Sequence, residues 1–144
     1  MNRGISAIVT ICLVTALQLG AGEPLLLHEV KSLYVESMPN GFDQSLIQKL
    51  LKWDAIKVVY VPEEADAVLK GGVSVRVVGA GGLTLTKTHA EVTLVDRKTG
   101  RPIWSAKKGS NKGSLKVAQK LVNKLRKDWE ESAKNQREKG KDGS

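Results

Sequence analysis

Lys87-Thr88-His89-Ala90-Glu91-Val92-Thr93-Leu94-Val95-Asp96 alternates with a period of two, Ala90, Val92 and Leu94 on one face and Glu91, Thr93 and Val95 on the other. Successive side chains leave a strand on opposite faces, so this period predicts a β-strand with one buried side. Arg97-Lys98-Thr99-Gly100 follows as a tight hairpin turn, with Asp96 and Thr99 supplying the turn chemistry and Gly100 the positive φ. Arg101 to Lys107 returns as the next strand and carries Ile103 and Trp104. Such a hairpin has to be covered by another layer.

Upstream of that hairpin, Ala67 to Val78 is a long β-branched run, with Val68, Val73, Val75 and Val77 expected inward and Gly71-Gly72 suggesting a bulge. Gly79-Ala80-Gly81-Gly82 reads as a flexible reversal between the two strands. Glu63 to Asp66 reads as a connecting turn or a single helical turn, in which Asp66 fixes the entry to the long strand by accepting backbone hydrogen bonds.

Further back, Val30 to Glu36 alternates as a strand and stops at Met38-Pro39-Asn40-Gly41. Asp43 is placed to cap a helix in which Leu46, Ile47, Leu50, Leu51 and Trp53 recur at helical spacing. Ile56 to Val61 is a short strand ended by Pro62. Strand, helix and strand in that order predict a right-handed crossover between parallel strands.

Downstream, Ser114 is placed to cap a long helix with Leu115, Ala118, Leu121, Val122, Leu125 and Trp129 as its apolar stripe. From residue 133 to 144 the chain is polar without an apolar face, and a disordered basic tail is expected. The order β-α-β-β-β-β-α predicts an α+β two-layer sandwich: one mixed sheet with two helices on one face, in a single domain over residues 23–132.

Residues 1–22 have a different character. Arg3 precedes a mostly apolar stretch from Ile5 to Leu19, and Gly20-Ala21-Gly22 follows just before Glu23-Pro24. That is the order of a secretory signal, with cleavage expected after Gly22 or, alternatively, after Ala21. Retention as an anchor is the other reading, although the stretch is short of the roughly 20 apolar residues a spanning helix needs. Cys12, the only cysteine, lies inside the apolar stretch and would leave with it, so the exported domain would have no disulfide and no thiol nucleophile.

Charge is uneven along the rest. Residues 23–106 hold ten Lys/Arg and ten Asp/Glu, whereas residues 107–144 hold twelve against five, a net of +7. Lys116, Lys120, Lys124 and Lys127 fall on one stripe of the closing helix, and Lys107, Lys108 and Lys112 precede it. The stripe is read either as a solvated face or as a contact for an anionic partner. Nucleic acid is disfavoured, since no aromatic residues interleave with the lysines.

Two short motifs carry a resemblance. Ala65 to Val73 reads A-D-A-V-L-K-G-G-V and leads into the long strand; Val95 to Trp104 reads V-D-R-K-T-G-R-P-I-W at the late hairpin. With the export signal and the closing helix, they resemble small bacterial envelope proteins of the curli-secretion lipoprotein (CsgG-like) and TolB amino-terminal-domain type, over roughly residues 30 to 130. The resemblance implies parts of envelope machines, channels or accessory lipoproteins, not catalysts. Two departures, the absence of a lipid-acceptor cysteine in a suitable context and of a membrane-spanning insertion, leave a periplasmic accessory protein as what the likeness implies.

The residues point the same way. His28 and His89 are the only histidines and lack the convergent partners of a zinc site. No G-x-S-x-G elbow and no phosphate-binding glycine loop occurs, so no catalytic residue, metal or cofactor is expected. The expectation is a non-enzyme that meets an envelope protein or an anionic envelope surface through a sheet edge or the basic helix, with Lys116, Lys120, Lys124, Lys127 and Trp104 as contact residues.

Overall fold

A computed structural model describes residues 25–143; the expected signal, Cys12 and the cleavage position near Gly22 lie outside the described residues. The elements run β1 (Ser32–Val35), α1 (Phe42–Leu50), β2 (Lys57–Val59), β3 (Ala67–Ala80), β4 (Leu83–Asp96), β5 (Pro102–Ser110) and α2 (Ser114–Lys141). They build one five-stranded sheet in the order β2-β1-β3-β4-β5. β1 is parallel to both β2 and β3, and the β3-β4 and β4-β5 pairs are antiparallel. This is the α+β arrangement that the periodicities predict.

The core forms where the apolar face of the sheet meets the two helices. Leu33 from β1, Leu69 from β3 and Ala90, Val92 and Leu94 from β4 are enclosed. They pack with Phe42, Leu46 and Leu50 of α1 and Val117, Ala118, Leu121 and Leu125 of α2. Burial of side chains of this size stabilises by about 1.5–3 kcal/mol each, which is why the 3.6-residue stripe on α2 decides its orientation. Trp53 and Trp129 meet edge to face with centroids 5.7 Å apart. The Trp129 indole N–H donates to the Val30 carbonyl at 3.1 Å, and Lys31 Nζ sits 4.7 Å from the Trp129 ring centroid.

Two carboxylates fasten the lower end of the sheet. Asp66 Oδ2 accepts the backbone N–H groups of Lys31 (2.9 Å) and Ser32 (3.1 Å), joining the start of β1 to the entry of β3. Buried Asp96 closes the β4-β5 turn by accepting the Lys98 N–H and the Thr99 hydroxyl, both at 3.0 Å. Burial opposes ionisation of Asp96, but these bonds, with that of the Leu25 backbone, outweigh it and hold its carboxyl below the usual range.

Several local expectations are corrected. The inward residues at the start of β3 are Ala67 and Leu69; Val68 pairs with Val95 on the opposite face. No bulge interrupts β3 at Gly71-Gly72, since its ladder with β4 runs unbroken from Ala67 to Ala80. Glycine is needed at 71 because a Cβ there would strike the Glu91 carbonyl and the Val92 side chain. The irregularity lies between Leu94 and Val95, in the pairing with β5. The reversal is a two-residue turn, Gly81 and Gly82 both having positive φ, the combination a type I′ turn requires.

At the helix starts, Gly41 and Gly113 occupy the cap positions expected of Asp43 and Ser114, which fall inside the first turns. Trp53 is buried but lies beyond the end of α1. His28 is held in place, its Nδ1 2.9 Å from the Ser132 hydroxyl. The tail also differs from expectation: α2 continues through Lys141. Lys, Gln, Glu and Arg are good helix formers, and no Pro or Gly falls between Ser114 and Lys139.

Candidate functional site

The basic stripe is set by α2 and β5 together. Trp104, Ala106 and Lys108 alternate along β5 and pair with Leu94, Val92 and Ala90, which places them on the helix-covered face. Lys108 therefore points under the edge of α2, where Lys120, Asn123, Lys124 and Lys127 join it around an open groove of about 440 Å³. A second depression, of about 360 Å³, is lined by Gly109, Ser110, Asn111, Lys112, Lys116 and Lys120. Lys120 borders both, and its ammonium donates to the Gly109 carbonyl at 2.9 Å.

The lysines differ in how far they are engaged. Lys124 Nζ lies 2.9 Å from Asp128 Oδ1 in an i,i+4 pair. Among the described residues the other ion pairs are Lys70–Glu36 and Arg126–Glu130, so Lys108, Lys112, Lys116, Lys120 and Lys127 belong to none. A row of cations without carboxylate partners attracts phosphate or carboxylate groups, most strongly at low ionic strength.

Trp104 is not on that row. Its indole N–H donates to Asp128 Oδ2 at 2.8 Å, and the half-buried ring packs on the core. Asp128 thus takes Trp104 on one oxygen and Lys124 on the other. Burial opposes its charge, yet the Trp104 and Lys124 hydrogen bonds and the nearby Lys124 and Lys127 charges prevail and lower its pKa below the ordinary carboxylate value.

Two surfaces escape the sequence reading. The face of the sheet away from the helices carries a shallow groove of about 530 Å³ bordered by Lys70, Gly72, Ser74, His89, Glu91 and Lys107. The other is the outer half of the β3-β4 hairpin. β5 ends at Ser110, opposite Thr88, and β1 pairs with β3 only as far as Leu69. Beyond that point two strands project alone. Val75, Val77, Val78, Leu83 and Leu85 on this arm are all exposed, Val77 by 66% and Leu83 by 77%. Its sequence signal was present in the alternation L-T-L-T from Leu83 to Thr86, which extends β4 back to the glycine turn.

No protein-family model matches this chain, and no curated protein matches it by sequence. Among solved structures it is similar to the PelC dodecamer from Paraburkholderia phytofirmans. One crystal form, of a single-residue variant, gives a TM-score of 0.53 at 18% identity over 71% of this chain and 93% of that chain. A second gives 0.52 at 17% identity over 71% and 90%. The lipoprotein GNA1162 from Neisseria meningitidis aligns at 17% identity over 71% of this chain and 99% of that one, with a TM-score of 0.46. What the PelC likeness shows is a common fold.

Proposed function

We propose that this chain is an exported, non-enzymatic accessory protein of a bacterial cell-envelope assembly or transport system, of the broad CsgG-like type. It works in the periplasm after signal cleavage near Gly22. One observation carries the reading: a fold shared with PelC, in which the free β5 edge and the unpaired lysines of α2 lie side by side. A strand edge offers backbone donors and acceptors, and the adjacent cations select an acidic partner.

The PelC structures are dodecamers, and we extend the reading to self-assembly. The two sides of the sheet differ in charge: the turn after β2, whose own charged residue is Lys57, carries Glu63 and Glu64, and β5 carries Lys107 and Lys108. Unlike edges favour head-to-tail contacts, which form a ring when the rotation between copies closes. Light scattering on the purified chain should give a multiple of the monomer mass; a monomer at every concentration argues against this extension alone.

The test of the main reading is photo-crosslinking in intact cells from position 120. A discrete protein adduct is the expected result. A turnover activity abolished by changing one polar residue would overturn it. Adducts confined to lipid or polymer would favour a second reading, an electrostatic binder of anionic envelope polymers or lipid head groups, which the groove around Lys108, Lys120 and Lys127 supports.

A further inference from the structure

We infer that the projecting β3-β4 hairpin is a membrane-docking arm, which seats its tip in the headgroup and outer acyl region of an anionic phospholipid bilayer. The inference rests on the anionic-surface reading of the basic face and extends it to a separate element.

The arm is apolar where a soluble hairpin would be polar. Residues 77–86 contain no Asp, Glu, Lys or Arg, and Val77, Val78, Leu83 and Leu85 stand exposed around the glycine turn. A two-stranded hairpin is marginal in water by itself, and an exposed apolar patch marks a surface that meets something else.

The charges around the arm say what that is. Arg76 and Lys87 sit directly opposite each other where the uncharged tip begins. Like charges directly opposed across a strand pair are destabilising, and an anion between them removes the penalty. Below this collar, the end of β5 and the start of α2 bring Lys107, Lys108, Lys112, Lys116 and Lys120 to the same end of the molecule. Three acids lie at that end: Glu91 at the collar's foot, Glu36 paired with Lys70, and Asp43 at the start of α1. An apolar tip with a collar of cations complements a negatively charged bilayer surface, each basic group near it adding to the attraction. In a second copy of the chain the depression that sets acids beside apolar groups is lined by Leu26, Trp104, Asp128 and Glu131, and its Asp128 is already taken by Trp104 and Lys124.

Length limits the depth. Four residues per strand reach past the collar, Val77–Ala80 and Leu83–Thr86, or about 13 Å at ~3.3 Å per residue. That distance enters one leaflet and falls far short of a hydrocarbon core of about 30 Å.

The experiment uses the exported chain from Glu23 onward, which has no cysteine of its own, carrying Leu83→Cys labelled with an environment-sensitive fluorophore. It is mixed with vesicles of phosphatidylglycerol and phosphatidylethanolamine, or of phosphatidylcholine alone. The expected result is a blue shift on the anionic vesicles only, and none for the same label at Lys98→Cys, at the opposite end of β4. Val77→Ser with Leu85→Ser, both at exposed positions, should weaken sedimentation with anionic vesicles at least tenfold. Arg76→Gln with Lys87→Gln should weaken it and flatten its salt dependence. Binding to anionic vesicles with the Leu83 label still in water would overturn the arm while leaving the basic face as a lipid contact. Failure to bind such vesicles would overturn both. A blue shift that follows protein concentration without lipid would identify the arm as a contact between copies and sink the proposal.

Discussion

Trp104 and Asp128 are joined by a 2.8 Å hydrogen bond from the indole N–H to Oδ2, which ties the beginning of β5 to the fourth turn of α2. The other oxygen of Asp128 holds Lys124. One carboxylate therefore both seats the closing helix on the sheet and neutralises the central lysine of the basic row.

Asp128→Ala should cost about 1.5–3 kcal/mol, the usual worth of hydrogen bonds to a charged group. Asp128→Asn keeps an acceptor for Trp104 and loses the charge, so its cost should be less than half as large. Chemical denaturation of the two variants measures the difference; equal costs would mean that the indole bond contributes little.

Acid should weaken the fold through two groups. The carboxyls of Asp96 and Asp128 have pKa values lowered in the folded chain. Their contribution is fully present above the unfolded carboxylate value of about 3.9 and is lost as pH falls through the lower folded values. Melting temperature should hold from pH 7 to about pH 5 and drop below about pH 4. In Asp96→Asn the drop should be smaller, from a lower starting stability.

Gly71→Ala should destabilise by about 1–3 kcal/mol, because the new methyl group meets the Glu91 carbonyl and Val92 inside a packed sheet. Its neighbour is the control. A Cβ at Gly72 meets nothing within 4 Å, so Gly72→Ala should stay within about 0.5 kcal/mol of the parent. Thermal melts of both variants suffice, and equal losses would refute the packing argument.

The lysines of the groove should not be equivalent. Lys108→Gln and Lys127→Gln remove cations outside any ion pair, whereas Lys124→Gln removes one that Asp128 already neutralises. Each of the first two should lower affinity for an anionic polymer such as polyphosphate about fivefold, from ~1 kcal/mol per basic residue. Lys124→Gln should lower it by less. Elution salt from an immobilised polyanion reads all three, and a uniform loss would show that only net charge matters.

Periodicity carried most of the architecture. Ala90, Val92 and Leu94 announced the buried face of β4, and the stripe from Leu121 to Trp129 announced which side of α2 turns inward. It failed where the third neighbour was missing. Val75 and Val77 have the residue type and spacing of core positions, and they do sit on the core side of the sheet. Val75 lies level with the last residue of β5 and Val77 beyond it, where no third strand flanks the pair, and extent of cover is not written in the alternation of one strand. The basic row was legible as far as helical spacing reaches. Lys108 joined it through the register of β5, and Trp104 left it through Asp128, both being contacts between elements distant in sequence.

The bond from Trp129 to the Val30 carbonyl spans 99 positions of the chain, and Val30 and Leu33 share their core with Leu121 and Leu125. The first strand lies inside the sheet between β2 and β3, and its apolar face waits for a helix encoded in the last quarter. For a polypeptide threaded through a translocation channel amino end first, the core cannot close until that final segment has emerged. With export as proposed, folding would be postponed to the far side, and the chain would stay loose enough to be moved until its journey is over.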